Sequence, residues 1–283
     1  MLLLARAPRS LPPAWMRWHY AGRDPQPEAH LAMWEGLRPR AVYGMASPLR
    51  GMAELLVRQP ATRHRAALVF CTGETLDSAS RRLLEEGFGG KVFDIYGSSE
   101  TGTAAYECAQ HAGLHLAEDA VLTELLPLPG SDAARLIVTS LVSRGTPLIR
   151  YEIGDLAVAG PLEPCPCGRT FRRLARIQGR IVDCVRRPDG SLVPPYPIEE
   201  AVMDFATKAP RYQVVQRRPD LIEVRLQAEP DMGMADAVRG ALARLLGPTM
   251  EVEISFAASL DPPPGQKFRL VQGLVGQGPP VSP

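Results

Sequence analysis

Between Glu28 and Tyr96 the chain alternates amphipathic stretches with short apolar runs, and this rhythm constrains the fold more than any other feature. Glu28–Gly36, Pro48–Arg58 and Asp77–Glu86 read as helices; the second places Leu49, Met52, Leu55 and Leu56 at helical spacing. Asp77 stands where a helix N-cap is wanted. Arg40–Gly44, Ala66–Cys71 and Lys91–Tyr96 are short enough for strands. Alternation of this kind predicts an α/β layer on a mainly parallel sheet, because parallel neighbours need a crossover that a helix supplies. Ligands of such sheets gather beyond the carboxyl ends of the strands. The turn after Tyr96 is therefore a favoured place for chemistry.

From Thr103 to Ala159 the rhythm changes. Strand-like pieces follow one another at Leu114–Leu116, Val121–Leu126, Arg135–Ser140, Leu148–Tyr151 and Leu156–Val158. They predict a mixed or antiparallel β unit, a distorted barrel in outline. Beyond Gly179-Arg180 the pattern is helix (Ile198–Ala206), two strands (Tyr212–Gln216, Leu221–Gln227), helix (Ala235–Leu246) and strand (Glu251–Phe256). An αββαβ unit of about a hundred residues can hold its own core. The expected boundary lies at Gly179, giving segments 1–178 and 179–283.

The 283 residues carry 32 basic and 31 acidic side chains, a net charge of +1. That balance supplies no field to attract nucleic acid or an anionic membrane, so neither is expected as a partner. No apolar run approaches the ~20 residues of a bilayer span, and the Met1–Arg6 start lacks the make-up of a signal peptide. The five cysteines are an odd number. They fit a reducing compartment, the cytoplasm, and a metal better than a disulfide framework.

The most informative stretch is Asp94-Ile-Tyr-Gly-Ser-Ser-Glu-Thr-Gly102. Glycine permits a tight turn and close approach of a ligand. Hydroxyls and amides in such a turn can hold phosphate oxygens, and a carboxylate among them can hold magnesium. Alone, the segment reads equally well as a plain Ser/Gly turn with an exposed Glu100. Three further segments follow in order: Arg150-Tyr-Glu-Ile-Gly-Asp155, Gln178-Gly-Arg180 and Gly265-Gln-Lys267-Phe-Arg269. Together the four resemble the Tyr-Gly-x-x-Glu core, the Arg-Tyr-x-x-x-Asp segment, the Gly-Arg junction and the terminal lysine element of the acyl-adenylate-forming (ANL) superfamily. Gly73-Glu74, Tyr106-Glu107-Cys108 and the Gly113–Asp119 segment resemble its phenylacetate–CoA ligase and capsule-biosynthesis branch.

The resemblance implies an α/β fold: a shortened adenylate-forming large domain (α/β layer plus distorted β unit) and a small, mobile α+β C-terminal domain. It implies that Glu100 binds magnesium, Thr101 meets the nucleotide phosphate, and Tyr96 and Gly97 line the adenine and acyl side, with Ser98 and Ser99 in the same turn. Asp155 would accept from the ribose hydroxyls, Arg180 would reach ribose or phosphate, and Lys267 would lie at the α-phosphate during adenylation. ATP or AMP, a small carboxylic acid and CoA or a carrier-protein thiol are the implied ligands. Two departures stand out. The family's Gly-rich phosphate loop has no counterpart before Tyr96, and only Asp183 remains of an acidic pair after the Gly-Arg junction. The chain is expected to lack the first third of a full member and to activate ATP poorly by itself. A homodimer or a partner is expected on the face this leaves. Two other readings are an enzyme of acyl transfer only and a non-catalytic adenylate-binding scaffold.

Cys108-Ala-Gln-His111 and Cys165-Pro-Cys167 are two close pairs that can close one tetrahedral zinc site of structural type. His115 belongs to a Gly-Leu-His element that the resemblance finds even in members without these cysteines. His111 is therefore the expected fourth ligand. Cys71 and Cys184 read as buried apolar residues.

Overall fold

The computed structural model describes residues 2–4, 19–20, 27–59, 64–206, 208–209, 211–260 and 268–275. The chain divides into two compact units. The first holds Met1–Leu122, Thr139–Ile149 and Gly160–Ala175; the second holds Thr123–Val138, Arg150–Ala159 and Arg176–Pro283.

The first unit opens with β1 (Leu2–Leu4), β2 (His19–Tyr20), α1 (Pro27–Leu37), β3 (Ala41–Gly44), α2 (Ala46–Arg58), β4 (Leu68–Thr72), α3 (Ser78–Phe88) and β5 (Lys91–Ser98). Strands run in the order β2-β1-β3-β4-β5, all parallel. The predicted α/β layer is present, with each helix and strand close to its expected place. Asp77 caps α3, its carboxylate accepting from the Ser80 N–H. Leu49, Met52 and Leu56 of α2 pack with Trp34, Val69, Leu84 and Phe88 in one core, while Leu55 is only partly buried. β6 (Gly102–Glu107) and β7 (Leu114–Leu116) then continue the sheet in antiparallel fashion. The sequence reading missed β6, because Thr103-Ala104-Ala105 offers little apolar signal; pairing on both of its edges holds it instead.

Largely in the second unit come β8 (Val121–Pro127), β9 (Ala133–Ser140) and β10 (Tyr151–Ala159), with β9 between the other two and antiparallel to β10. The two expected strands at Leu148–Tyr151 and Leu156–Val158 are one: Leu148–Arg150 is loop, and the rest is β10. β11 (Arg173–Arg180) begins in the first unit, where it pairs with β7. It too was missed, being rich in arginine. Arg173 is nevertheless buried, and it donates to the carbonyls of Ala112 and Glu163 at 2.9 and 2.6 Å. A 3-10 turn (Ile181–Asp183), β12 (Val185–Arg186) and β13 (Leu192–Val193) lead to α4 (Pro195–Met203). There follow β14 (Tyr212–Arg218), β15 (Leu221–Gln227), α5 (Met232–Leu246), β16 (Glu251–Ala257) and β17 (Val271–Gln272). The expected αββαβ order is present, and the strand order is β16-β15-β14-β17. Val202, Val214, Val224, Val238 and Leu242 lie in its core. No helix among the described residues is long and apolar enough to cross a membrane.

Candidate nucleotide turn and thiol cluster

β5 and β6 form a hairpin whose last pair is Ser98 opposite Gly102, leaving Ser99-Glu100-Thr101 as a three-residue loop. Gly102 closes it at φ +72°, a common ending for loops of this length. The Ser98 hydroxyl sits inside the turn. It accepts from the N–H groups of Glu100 (3.2 Å) and Thr101 (3.1 Å) and lies 3.1 Å from the Thr101 hydroxyl. Two of the turn's amides are thus already paired with Ser98. Gly97 has a steric cause: a β-carbon there would lie 2.5 Å from the Gly102 carbonyl oxygen. Ser99 and Glu100 are exposed, and Tyr96 is half-buried.

Asp155 lies in the second unit, at an irregularity of β10. Glu152 pairs with Ile137 and Leu156 with Arg135, so Ile153, Gly154 and Asp155 stand opposite Leu136 alone. Gly154 takes φ +82°, which turns the strand there. The Asp155 side chain is mostly buried at 17% exposure, and Arg180 Nε lies 3.3 Å from its Oδ1. Asp183, the single acid after the Gly-Arg junction, pairs with Arg269. Lys267 lies outside the described residues.

Three thiols and one imidazole meet in the first unit: Cys108, Cys165, Cys167 and His115, their ligand atoms all within 4.8 Å of one another. Cys108 follows the end of β6, and His115 lies on β7. Cys108 Sγ is 3.7 Å from Cys165 Sγ, and Cys167 Sγ is 3.4 Å from His115 Nε2. His115 Nδ1 is buried without a partner among the described residues. Nearby, the backbone N–H of Arg169 and then its side chain bring the Cys167 thiol down to about 6.

The structure brings together the three expected cysteines but joins them to His115 rather than His111. The reason is strand register. Pairing of β6 with β7 puts His115 opposite Tyr106, two residues from Cys108. His111 stands on the intervening turn at φ +49°, and its Nδ1 lies 3.3 Å from Glu107 Oε2 and 3.4 Å from Arg81 Nη1.

Glu107 is a polar centre that the sequence reading left without a role. Its carboxylate accepts from Arg81 Nη2 and from the Asp94 N–H, both at 2.8 Å. Its side chain is 8% exposed. Asp94 is pushed up to about 7, first by burial and then by the Glu107 charge, against the pull of Arg81 and the Ile95 N–H. Burial likewise pushes the Cys71 thiol up. Glu74, noted in the sequence only as part of Gly73-Glu74, has a structural role: its carboxylate accepts from the Ser47 N–H and hydroxyl at 2.7 and 2.9 Å, holding the start of α2. No spacing rule predicts such a cap from a residue 27 positions away.

The chain belongs to the acyl-adenylate-forming superfamily, on its likeness to known proteins. It is 30% identical over 214 residues to a phenylacetate–coenzyme A ligase of Thermus thermophilus, matching 71% of this chain and 48% of that one. Its fold matches 2-hydroxyisobutyryl-CoA ligase in the postadenylation state, with a TM-score of 0.70 and 22% identity, over 90% of this chain and 58% of that one. It also matches a benzoate CoA ligase from Burkholderia xenovorans LB400, with a TM-score of 0.62 and 18% identity, over 87% and 53% of the two chains. An anthranilate CoA ligase, AuaEII, in complex with anthranoyl-AMP gives a TM-score of 0.63 at 13% identity, over 86% and 50%. The chain thus spans about half the length of the relatives it matches. No family model matches it.

Proposed function

We propose that the protein binds an acyl-adenylate and transfers its acyl group to a thiol, with CoA as the acceptor and an aromatic carboxylate as the acid. The observation that carries this reading is the Tyr96–Thr101 hairpin turn, closed by Ser98 and Gly102. Relatives of known structure support it, one of them in complex with anthranoyl-AMP and another with 2-HIB-AMP and CoA. In this reading Thr101 meets the α-phosphate, and Glu100, exposed at the loop tip, offers its carboxylate to magnesium. Asp155 accepts from the ribose hydroxyls. Arg180, whose Nε lies 3.3 Å from Asp155 Oδ1, reaches ribose or phosphate. Lys267 belongs to the same assignment by sequence alone. The segment from Gly179 is proposed as the mobile domain. Acyl transfer needs stabilisation of one developing charge at the carbonyl, whereas adenylation must also hold a leaving pyrophosphate. Supplied with preformed benzoyl-adenylate and CoA, the protein should form the thioester faster than with benzoate, ATP and CoA. Equal or greater speed from ATP would overturn the transfer reading, and no thioester from either mixture would favour a binding protein.

We further propose that Cys108, His115, Cys165 and Cys167 hold one structural zinc ion. The donor set fits. Zinc–sulfur bonds of about 2.3 Å in a tetrahedron place sulfurs ~3.8 Å apart, and Cys108 and Cys165 stand at 3.7 Å. Four protein donors leave no open position for a substrate, so the ion would fasten the β6–β7 turn to the Cys165–Cys167 loop. Metal analysis should find one zinc per chain, and Cys165→Ser should lose most of it. A preparation that contains no zinc as isolated and takes up none when zinc is supplied would refute the assignment.

A further inference from the structure

Glu107 stands between the two sites of the first unit. Its peptide neighbour is Cys108, the thiol that follows β6. Its carboxylate accepts from the Asp94 N–H, two residues before Tyr96 on β5. The same carboxylate takes Arg81 Nη2 from α3, and Arg81 also donates to the Val92 carbonyl at 2.8 Å. His111, on the turn that follows Cys108, lies 3.3 Å from its Oε2. One mostly buried side chain therefore fastens β5, α3 and the Cys108–His111 turn together.

This matters for the hairpin. The β5–β6 ladder is regular from Ile95↔Tyr106 to Tyr96↔Ala105, then slips by one residue before Gly97↔Thr103. Its turn end is built from Gly97, Gly102 and small side chains, and such strands specify register weakly. Its other end is where register is fixed. There Glu107 takes the Asp94 N–H, and Cys108 enters the thiol cluster. A change in how Cys108 is held acts on β6 as a whole, and β6 runs directly back to Gly102 and Thr101.

We propose that Glu107 is a positioning residue that couples the cysteine–histidine metal site to the nucleotide turn, so that each site senses whether the other is filled. The proposal rests on the zinc and adenylate readings above. Coupling of this kind is reciprocal: a metal that strengthens AMP binding must itself be held more tightly when AMP is bound.

The test uses the full chain loaded with cobalt(II), whose thiolate charge-transfer and ligand-field absorption reports the geometry of the four donors. Saturating AMP should shift that spectrum in the unsubstituted protein. In Glu107→Gln, with cobalt content checked as equal, AMP should still bind but leave the spectrum unmoved. Calorimetry gives the second readout. Stripping the metal should weaken AMP binding by at least about fivefold in the unsubstituted protein, the lower end of ordinary coupling between sites. In Glu107→Gln the metal-loaded and metal-free forms should bind AMP alike. A general loss of stability would instead weaken both forms of the variant while preserving their ratio, which would overturn the coupling. AMP binding to the unsubstituted cobalt protein without a spectral change would also overturn it, with no variant needed. Failure of the loaded protein to bind AMP at all would instead remove the adenylate reading, and failure to take up cobalt would remove the metal reading; either takes the coupling with it.

Discussion

At the scale of single residues, the two carboxylates Asp94 and Glu107 set the local electrostatics. Asp94 is partly buried and faces the Glu107 charge, with Arg81 as the nearest compensating cation and the Cys71 thiol beside it. Its folded-state value of about 7 lies above the ~3.9 of a free aspartate. The fold therefore prefers the protonated acid. The stabilisation from Asp94 is complete below about pH 4 and is lost as pH rises through about 7. Asp94→Asn removes the charge at nearly constant shape. It should stabilise the protein at pH 8 by about 1–2 kcal/mol, allowing for partial exposure of the group, and change little at pH 4. Chemical denaturation at the two pH values reads this directly, and equal effects at both would contradict it.

At the scale of elements, the hairpin carrying the nucleotide turn depends on backbone contact across its neck. Gly97→Ala would place a β-carbon against the Gly102 carbonyl, a backbone atom that cannot swing aside. The expected cost is about 1–3 kcal/mol of stability, the usual range for overpacking, measurable by thermal unfolding; an unchanged midpoint would show that the neck can open. Much at this scale was legible in the sequence. The three helices and three strands between Glu28 and Tyr96 were readable because core-facing periodicity and the Asp77 cap agree there. The αββαβ order was readable for the same reason. What the sequence hid has particular causes. Arg173, Arg176 and Arg180 disguised β11, since the burial of Arg173 and the ion pairs of Arg176 and Arg180 are long-range matters. The gap left between the two expected strands Leu148–Tyr151 and Leu156–Val158 holds an irregularity within one strand, at Gly154. The helix was expected from Ile198, but proline suits the first turn of a helix, and α4 starts at Pro195. His115 was passed over for His111 because the resemblance finds its Gly-Leu-His element even in members without the cysteines, and the strand register that places it opposite Tyr106 could not be read from the sequence.

At the scale of the molecule, the Tyr96–Thr101 turn belongs to the first unit, and Asp155 and Arg180 belong to the second. The turn was legible as a motif, but the capture of its amides by Ser98 was not, since a hydroxyl's rotamer follows from the folded turn. Asp155 was legible only through its place in an ordered set of segments; its low exposure and its partner Arg180 emerge from the bulge in β10. The central claim is that these groups bind an adenylate. Calorimetric titration of AMP into the purified protein and into Asp155→Ala tests it most directly. The account predicts saturable binding that Asp155→Ala weakens by ~1–3 kcal/mol, the scale of lost hydrogen bonds to a charged group. No binding, or affinity unchanged in the variant, would contradict it.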